Sequence, residues 1–308
     1  MGYTGHFYGG YLVEHIFQEE LKEQLSNRGA LFGKDVEMEM SGGAKTHVTF
    51  KGCSPQYVAR QLARFGREVH VLELLDCGAI EDFSFMKDCP NVQLVNIMWN
   101  RKAKQLWAPE VTPKLRHLSL FNFTQMKQLD SVGTFSQLEE LTLNSRLDGQ
   151  WCVDTLKPLQ GMSNLRYLWC FRVKPEEQQY WPLIRLSYLK VLHFDTSIFE
   201  ITDFARLSAA LPHTRSNFQT ALIHYEEIPP ELLQFIREGW QQNKASQNFH
   251  VVGKGQRLIC VRATDSEKTV KKKIEKIRLL VQTYEETKRA FRESANGAEV
   301  LEKKRLGE

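Results

Sequence analysis

The sequence predicts an α/β solenoid: a curved parallel sheet along one side, with α+β caps at both ends. Two observations predict it. One apolar pattern of six residues recurs six times, and its copies are almost evenly spaced. They start at Val69, Val92, Leu115, Leu138, Leu165 and Leu189, at intervals of 23, 23, 23, 27 and 24 residues. A period in this range belongs to stacked coils, each too thin to bury its own core and each completed by its neighbours.

The copies read VHVLEL, VQLVNI, LRHLSL, LEELTL, LRYLWC and LKVLHF. Positions one, four and six are apolar in each, and the residues between them vary, as a half-buried strand requires. The connections carry apolar residues of their own: Phe83 and Met86, then Leu129, Val132 and Phe135, then Leu156, Leu159 and Met162. These are expected to close the convex side of each coil. In this pattern the chain resembles the leucine-rich repeat family, over residues 69 to about 220. The resemblance implies a leucine-rich repeat solenoid whose ninth position is Asn or Cys. Cys77 and Asn100 fit, whereas Phe123, Arg146, Val173 and Ser197 depart from the pattern and imply an irregular stack. A degenerate seventh copy lies near Thr214–Gln219.

Three segments follow: an N-terminal α/β cap over 1–68, the solenoid over 69–222 and a C-terminal α/β flank over 223–308. In the first, residues 11–27 suit a helix with Leu12, Ile16, Leu21 and Leu25 on one face. The alternating stretches 36–40 and 46–50 around SGGAK read as a hairpin. Ser54 and Pro55 then open a helix that Gly66 ends. In the last segment, 229–242 reads as a helix, and 249–252 with 258–263 as a hairpin around GKGQR. Ser266 caps a long helix to about Glu293, with a seam of Val270, Ile274, Ile277, Val281, Tyr284 and Phe291. That seam suits the protein's own last coil better than a second chain. Residues 294–308 are small and charged, and fraying is expected there.

Composition is that of a globular protein, with 42% hydrophobic and 25% charged residues. The net charge of +4 does not by itself point to nucleic acid. The six cysteines are scattered, without zinc-ligand spacing, and are expected as reduced thiols, Cys170 among them at an inward strand position. No metal or cofactor is expected. Residues 1–10 lack the basic start and apolar core of a signal peptide, and no apolar run reaches membrane-spanning length. A cytoplasmic protein, monomeric and without a membrane partner, is the expectation.

The residues between the inward positions face the concave side, where rungs about 4.8 Å apart line up into ladders. Leu75, Leu94, Met98 and Phe121 form one apolar cluster, with Trp99 at its rim. Tyr167, Trp169 and Phe171 form a second on one strand; Glu73, Glu140, Arg172 and Asp195 frame these aromatic residues, and His193 points to the same face. Aromatic residues framed by charge are the composition of protein-binding hot spots. The expected function is therefore non-enzymatic capture of a protein partner on this face, of the inhibitor or immunity-protein kind. An adaptor or effector scaffold, and nucleic-acid binding through the basic stretch 268–278, are the alternatives. A face covered by the protein's own flanks, or a strand out of register, would also account for the pattern. Catalysis ranks low: GKGQR lacks phosphate-loop spacing, neither H-E-x-x-H nor G-x-S-x-G occurs, and His117 with Glu140 falls short of a catalytic constellation.

Overall fold

The computed structural model describes residues 31–32, 36–41, 44–146, 149–223, 247–254, 259–262 and 264–294. The helices expected over 11–27 and 229–242, the tips of both hairpins and the tail beyond 294 lie outside the described residues. The chain forms two compact units, Met1–Leu189 and Lys190–Glu308.

In the first unit, β1 (Leu31–Phe32), β2 (Val36–Ser41) and β3 (Ala44–Lys51) run antiparallel, so the expected hairpin is present. From β3 onward the sheet is parallel. It continues through β4 (Val71–Leu75), β5 (Leu94–Met98), β6 (His117–Phe121) and β7 (Glu140–Asn144). A three-residue strand, β8 (Trp151–Val153), interrupts the sequence before β9 (Tyr167–Phe171) joins β7. β8 instead pairs in parallel with β10 (Val173–Pro175), forming a separate two-stranded sheet.

The register is the one the repeat pattern requires. Val71, Leu94, His117, Glu140 and Tyr167 are successive partners, and so are Leu75, Met98, Phe121, Asn144 and Phe171. Every inward residue of these strands, from Leu72 and Leu74 to Leu168 and Cys170, is at most 1% exposed. The connection residues Phe83, Met86, Leu129, Val132, Phe135, Leu156, Leu159 and Met162 are at most 2% exposed and close the other side of the core. Burial of each such side chain contributes about 1.5–3 kcal/mol against chain entropy.

The parallel stack starts one rung before the first Leu-rich copy. His47, Thr49 and Lys51 of β3 pair with Val71, Glu73 and Leu75, and Val48 and Phe50 enter the core with no exposed surface. Helix α1 (Pro55–Phe65) is the connection of that rung. Ser54 caps it by accepting from the Tyr57 N–H at 3.3 Å, and Val58, Leu62 and Phe65 form its buried face. At Gly66 the backbone approaches the next coil so closely that a Cβ would stand 2.5 Å from the Asp88 carbonyl oxygen. Later connections of the first unit hold only short helical turns, among them α2 (Asp130–Gly133) and α3 (Trp181–Ile184).

In the first unit, each rung from β3 to β9 except β7 ends in the left-handed region. Gly52, Asp76, Trp99, Asn122 and Arg172, one residue beyond β3, β4, β5, β6 and β9, have φ of 65°, 54°, 65°, 62° and 58°. The following position turns the chain into its connection. Asn100 there is 1% exposed, donates to the Ile80 carbonyl at 2.8 Å and accepts from the Lys102 and Ala103 N–H groups. Cys77 donates to the Phe50 carbonyl at 3.5 Å. Where the pattern departs from Asn or Cys, packing replaces the hydrogen bonds: Phe123 stacks on Trp151 at 5.9 Å, and the Trp151 indole donates to the Met126 carbonyl at 2.6 Å.

In the second unit, β11 (Val191–Phe194) pairs in parallel with β12 (Arg215–Ser216), the degenerate seventh copy. Asn217 extends the pair with its side chain, donating to the Phe194 carbonyl at 2.7 Å and accepting from the Phe194 N–H at 3.1 Å. Helix α4 (Ile201–Ala210) packs on the long helix α5 (Glu267–Glu293), which Ser266 caps as expected. The α5 seam is therefore used inside its own unit. Val270, Ile274, Ile277, Tyr284 and Phe291 are buried, and Tyr284 donates to the Phe218 carbonyl. Strands β13 (Leu222–Ile223), β14 (Gln247–Val251) and β15 (Ile259–Val261) form an antiparallel sheet containing the second expected hairpin. No helix among the described residues is long and apolar enough to cross a membrane.

Candidate functional site

The outer face of the first unit's parallel sheet carries the candidate site. Strand alternation builds it, because each inward residue fixes its two neighbours on the opposite face. β9 shows this most clearly. Leu168 and Cys170 are fully buried, whereas Tyr167, Trp169 and Phe171 stand half-buried on the outer side.

At the ends of the strands, Leu75, Met98, Trp99, Phe171 and Arg172 are half-buried. Phe121 is only 4% exposed because Trp99 stands edge-on to it, ring centres 4.9 Å apart. The Arg146 guanidinium lies 5.5 Å from the centre of the Trp99 ring. Trp99 holds this place in a left-handed backbone conformation, which costs a bulky L-residue roughly 1–2 kcal/mol.

The middle of the face is polar and more enclosed than an open ladder. Of the expected binding residues here, Leu94 is 5% exposed and Glu140 has no exposed surface. Asn96, Ser119 and Thr142, one rung apart from one another, are likewise buried. Leu94 packs between its register partners Val71 and His117, and Glu140 lies between His117 and Tyr167.

Two carboxyl groups on this face differ in charge state. Glu73 accepts from Asn96 at 3.0 Å and from Thr49 at 2.9 Å, and its Oε2 lies 3.1 Å from His47 Nε2. Burial pushes this carboxyl up, but the hydrogen bond and charge of His47, with the Asn96 and Thr49 donors, outweigh it and hold the group at about 2. Glu140 has no such donors, and burial pushes it up to about 9. Burial, together with the charge of Arg116, lowers His117 to about 4. At neutral pH this pair is therefore a carboxylic acid beside a neutral imidazole, with Nδ1 and Oε2 3.9 Å apart, too far for a hydrogen bond.

His193 and Asp195 belong to the second unit. His193 is half-buried on β11, and burial lowers its imidazole below the ordinary range. Asp195 accepts from the Ser197 N–H at 3.0 Å and hydroxyl at 2.7 Å. No group of three or more His, Cys, Asp or Glu side chains among the described residues could hold a metal ion.

Sequence reasoning missed the rung formed by β3 and the network centred on Glu73. A signal for that rung does exist in the sequence. Gly52-Cys53 repeats the Asp76-Cys77 ending 24 residues earlier, a spacing hidden because His47-Val48-Thr49-Phe50 contains no leucine.

No family model and no curated protein matches the chain. Among solved structures, the chain is similar to an internalin from Listeria monocytogenes at 17% identity and a TM-score of 0.38. The match covers 56% of this chain and 46% of the internalin, so the chain spans less than half of that protein's length. It is also similar to internalin C2 from the same organism, at 20% identity and a TM-score of 0.32, over 50% of this chain and 72% of the other. A leucine-rich repeat protein of Leptospira interrogans is similar at 15% identity and a TM-score of 0.30, over 48% and 46% of the two chains. The chain's own geometry carries the assignment: with one in-register parallel strand per coil of 23 to 27 residues, an apolar core between strands and connections, and Cys or Asn at the first coil ends, its first unit is a leucine-rich repeat solenoid.

Proposed function

We propose that this chain is a non-enzymatic protein-binding module that captures a protein partner on the outer face of its parallel sheet. The observation that carries this reading is β9, where Tyr167, Trp169 and Phe171 alternate with two fully buried residues and stand half-buried on a rigid strand. Large aromatic groups presented without backbone freedom lose little entropy on binding and serve as anchors. Leu75, Met98, Trp99 and Arg172 extend the same surface along the strand ends. Leu94, Phe121 and Glu140 support it from beneath.

Neutralising one specific protein in the cytoplasm, as an inhibitor or immunity protein does, is the role we favour. Recruitment of a protein to a larger assembly is the second reading. Nucleic-acid binding through α5 is weakened by one observation: Lys273, central in the basic run, is engaged by Asp265 at 2.6 Å and the Cys260 carbonyl at 2.7 Å.

The test is affinity capture from native lysate with the wild type beside Trp169→Ala. Loss of an anchor of this kind costs about 2 kcal/mol or more, roughly 30-fold in affinity. A partner retained by wild type and lost by the folded variant supports the face as the binding surface. Equal capture by both moves the site elsewhere on the chain.

A further inference from the structure

On the enclosed middle of the outer face, four buried polar atoms on three side chains of adjacent strands β6 and β7 lack a hydrogen-bond partner among the described residues. They are Oε1 and Oε2 of Glu140, Nδ1 of His117 and Oγ1 of Thr142. Buried polar groups are almost always paired, and leaving a carboxyl unpaired costs far more than leaving it in water. Register brings these groups together: Glu140 faces His117 across β6–β7, and Thr142 lies two residues further along the same face of β7.

Once Glu140 is ionised the cluster is rich in acceptors: the carboxylate only accepts, a neutral imidazole accepts on one ring nitrogen, and a hydroxyl can accept as well. The complementary group is a cation with several donors. A guanidinium fits better than an ammonium, because its planar fork can bind both carboxylate oxygens and still turn a donor to a neighbouring strand about 4.8 Å away. On the outer face Glu140 lies between His117, whose side chain is 20% exposed, and Tyr167, which is half-buried. Both flank the buried carboxyl.

We propose that Glu140, with His117 and Thr142, is the receptor for an arginine side chain presented by the protein partner. This rests on the reading of the outer face as a binding surface, and it adds the chemistry of the partner's anchor. The guanidinium replaces the proton on Glu140 and pairs with the ionised carboxylate, so binding at neutral pH releases a proton to solvent. Among the described residues, Arg116, which acts on the charge of His117, and Tyr167, the register partner of Glu140, are titratable groups beside the pair.

The experiment uses the full chain with 13C-labelled glutamate side chains, the Glu140 carboxyl signal being assigned from Glu140→Gln. Its titration is followed alone and with N-acetyl-arginine amide, N-acetyl-lysine amide or N-acetyl-norleucine amide. Alone, the signal should titrate near 9. With the arginine probe the midpoint should fall by about one unit or more, a tenfold preference for the ionised form. The norleucine probe should leave it in place. An unmoved midpoint overturns the proposal and makes Glu140 a protonated core residue, and an equal shift with lysine overturns the guanidinium assignment. The probes require no partner. A failed arginine response with intact, Trp169-dependent capture therefore sinks this proposal alone, and a response without such capture sinks the reading of the face.

Discussion

His47 Nε2 lies 3.1 Å from Oε2 of Glu73, binding the rung that precedes the first Leu-rich copy to the copy itself. Glu73 is thereby the meeting point of three strands, since Thr49 of β3 and Asn96 of β5 donate to it as well. The Glu73 carboxyl is held at about 2, so its folded-state value lies below its ordinary 4.5. The sign follows. Its contribution to stability is present above 4.5 and is lost as pH falls through 2. Glu73→Gln should cost about 1–2 kcal/mol at neutral pH, the range for hydrogen bonds to a charged group that keeps some solvent. Urea unfolding at a series of pH values checks this. Wild type should lose part of its stability between 4.5 and 2, and the variant should lack that part.

Glu140 predicts the opposite slope. Its folded-state value is raised to about 9, so the folded protein holds a proton that the unfolded chain releases above about 4.5. Stability from this group is complete below 4.5 and declines as pH rises through 9. By pH 7 the decline amounts to roughly 3 kcal/mol. Glu140→Gln removes the titration while keeping the shape, so the variant should become more stable than wild type from pH 5 upward, with the gap widening to about pH 9. Parallel thermal unfolding curves at pH 5, 7 and 8.5 would reveal it. A constant gap would mean that Glu140 is paired and ionised in solution.

The two carboxyls show what could be read from the sequence and what could not. The strands, their register and the inward residues follow from a periodic pattern, because burying one face of a strand fixes every residue on it. Glu73 and Glu140 occupy ordinary outward positions in that pattern, one at the fifth place of its copy and one at the third. Their different charge states depend on neighbours 23 to 27 residues away on other strands: donors around Glu73, none around Glu140. A single-strand pattern does not carry that information. The left-handed rung ends are a similar case. Gly52, Asp76 and Asn122 are residue types suited to such a conformation, but Trp99 and Arg172 are not, and only the backbone reveals them.

Coil stacking should be sensitive to single methyl groups at defined places. Helix α2 ends where a Cβ on Gly133 would stand 2.3 Å from the Pro158 carbonyl oxygen of the next coil. Backbone cannot swing aside as a side chain can, so Gly133→Ala should destabilise by about 1–3 kcal/mol. A Cβ on Gly161, in the same next coil, would meet nothing within 4 Å. Gly161→Ala should therefore be neutral or slightly stabilising through the unfolded chain. Chemical denaturation of the two variants side by side is the check, and equal effects would contradict the close approach of the coils.

Trp99 offers the sharpest separation of stability from binding. Its left-handed backbone is unfavourable by roughly 1–2 kcal/mol, and its edge-on contact with Phe121 returns about 0.5–1.5 kcal/mol. Trp99→Gly removes both terms and the Arg146 contact and frees the unfolded chain, so the folded state should lose no more than about 2 kcal/mol. Trp99→Phe keeps a ring beside Phe121 and Arg146 and keeps the strain as well. On the proposed function the strain holds an aromatic group at the strand ends for the partner. The Gly variant should then lose at least tenfold in affinity, about 1.4 kcal/mol, while the Phe variant retains most of it. Unfolding measurements paired with titration of the captured partner decide the matter. Full affinity in Trp99→Gly would show that the strained indole serves the fold alone and would remove it from the binding surface.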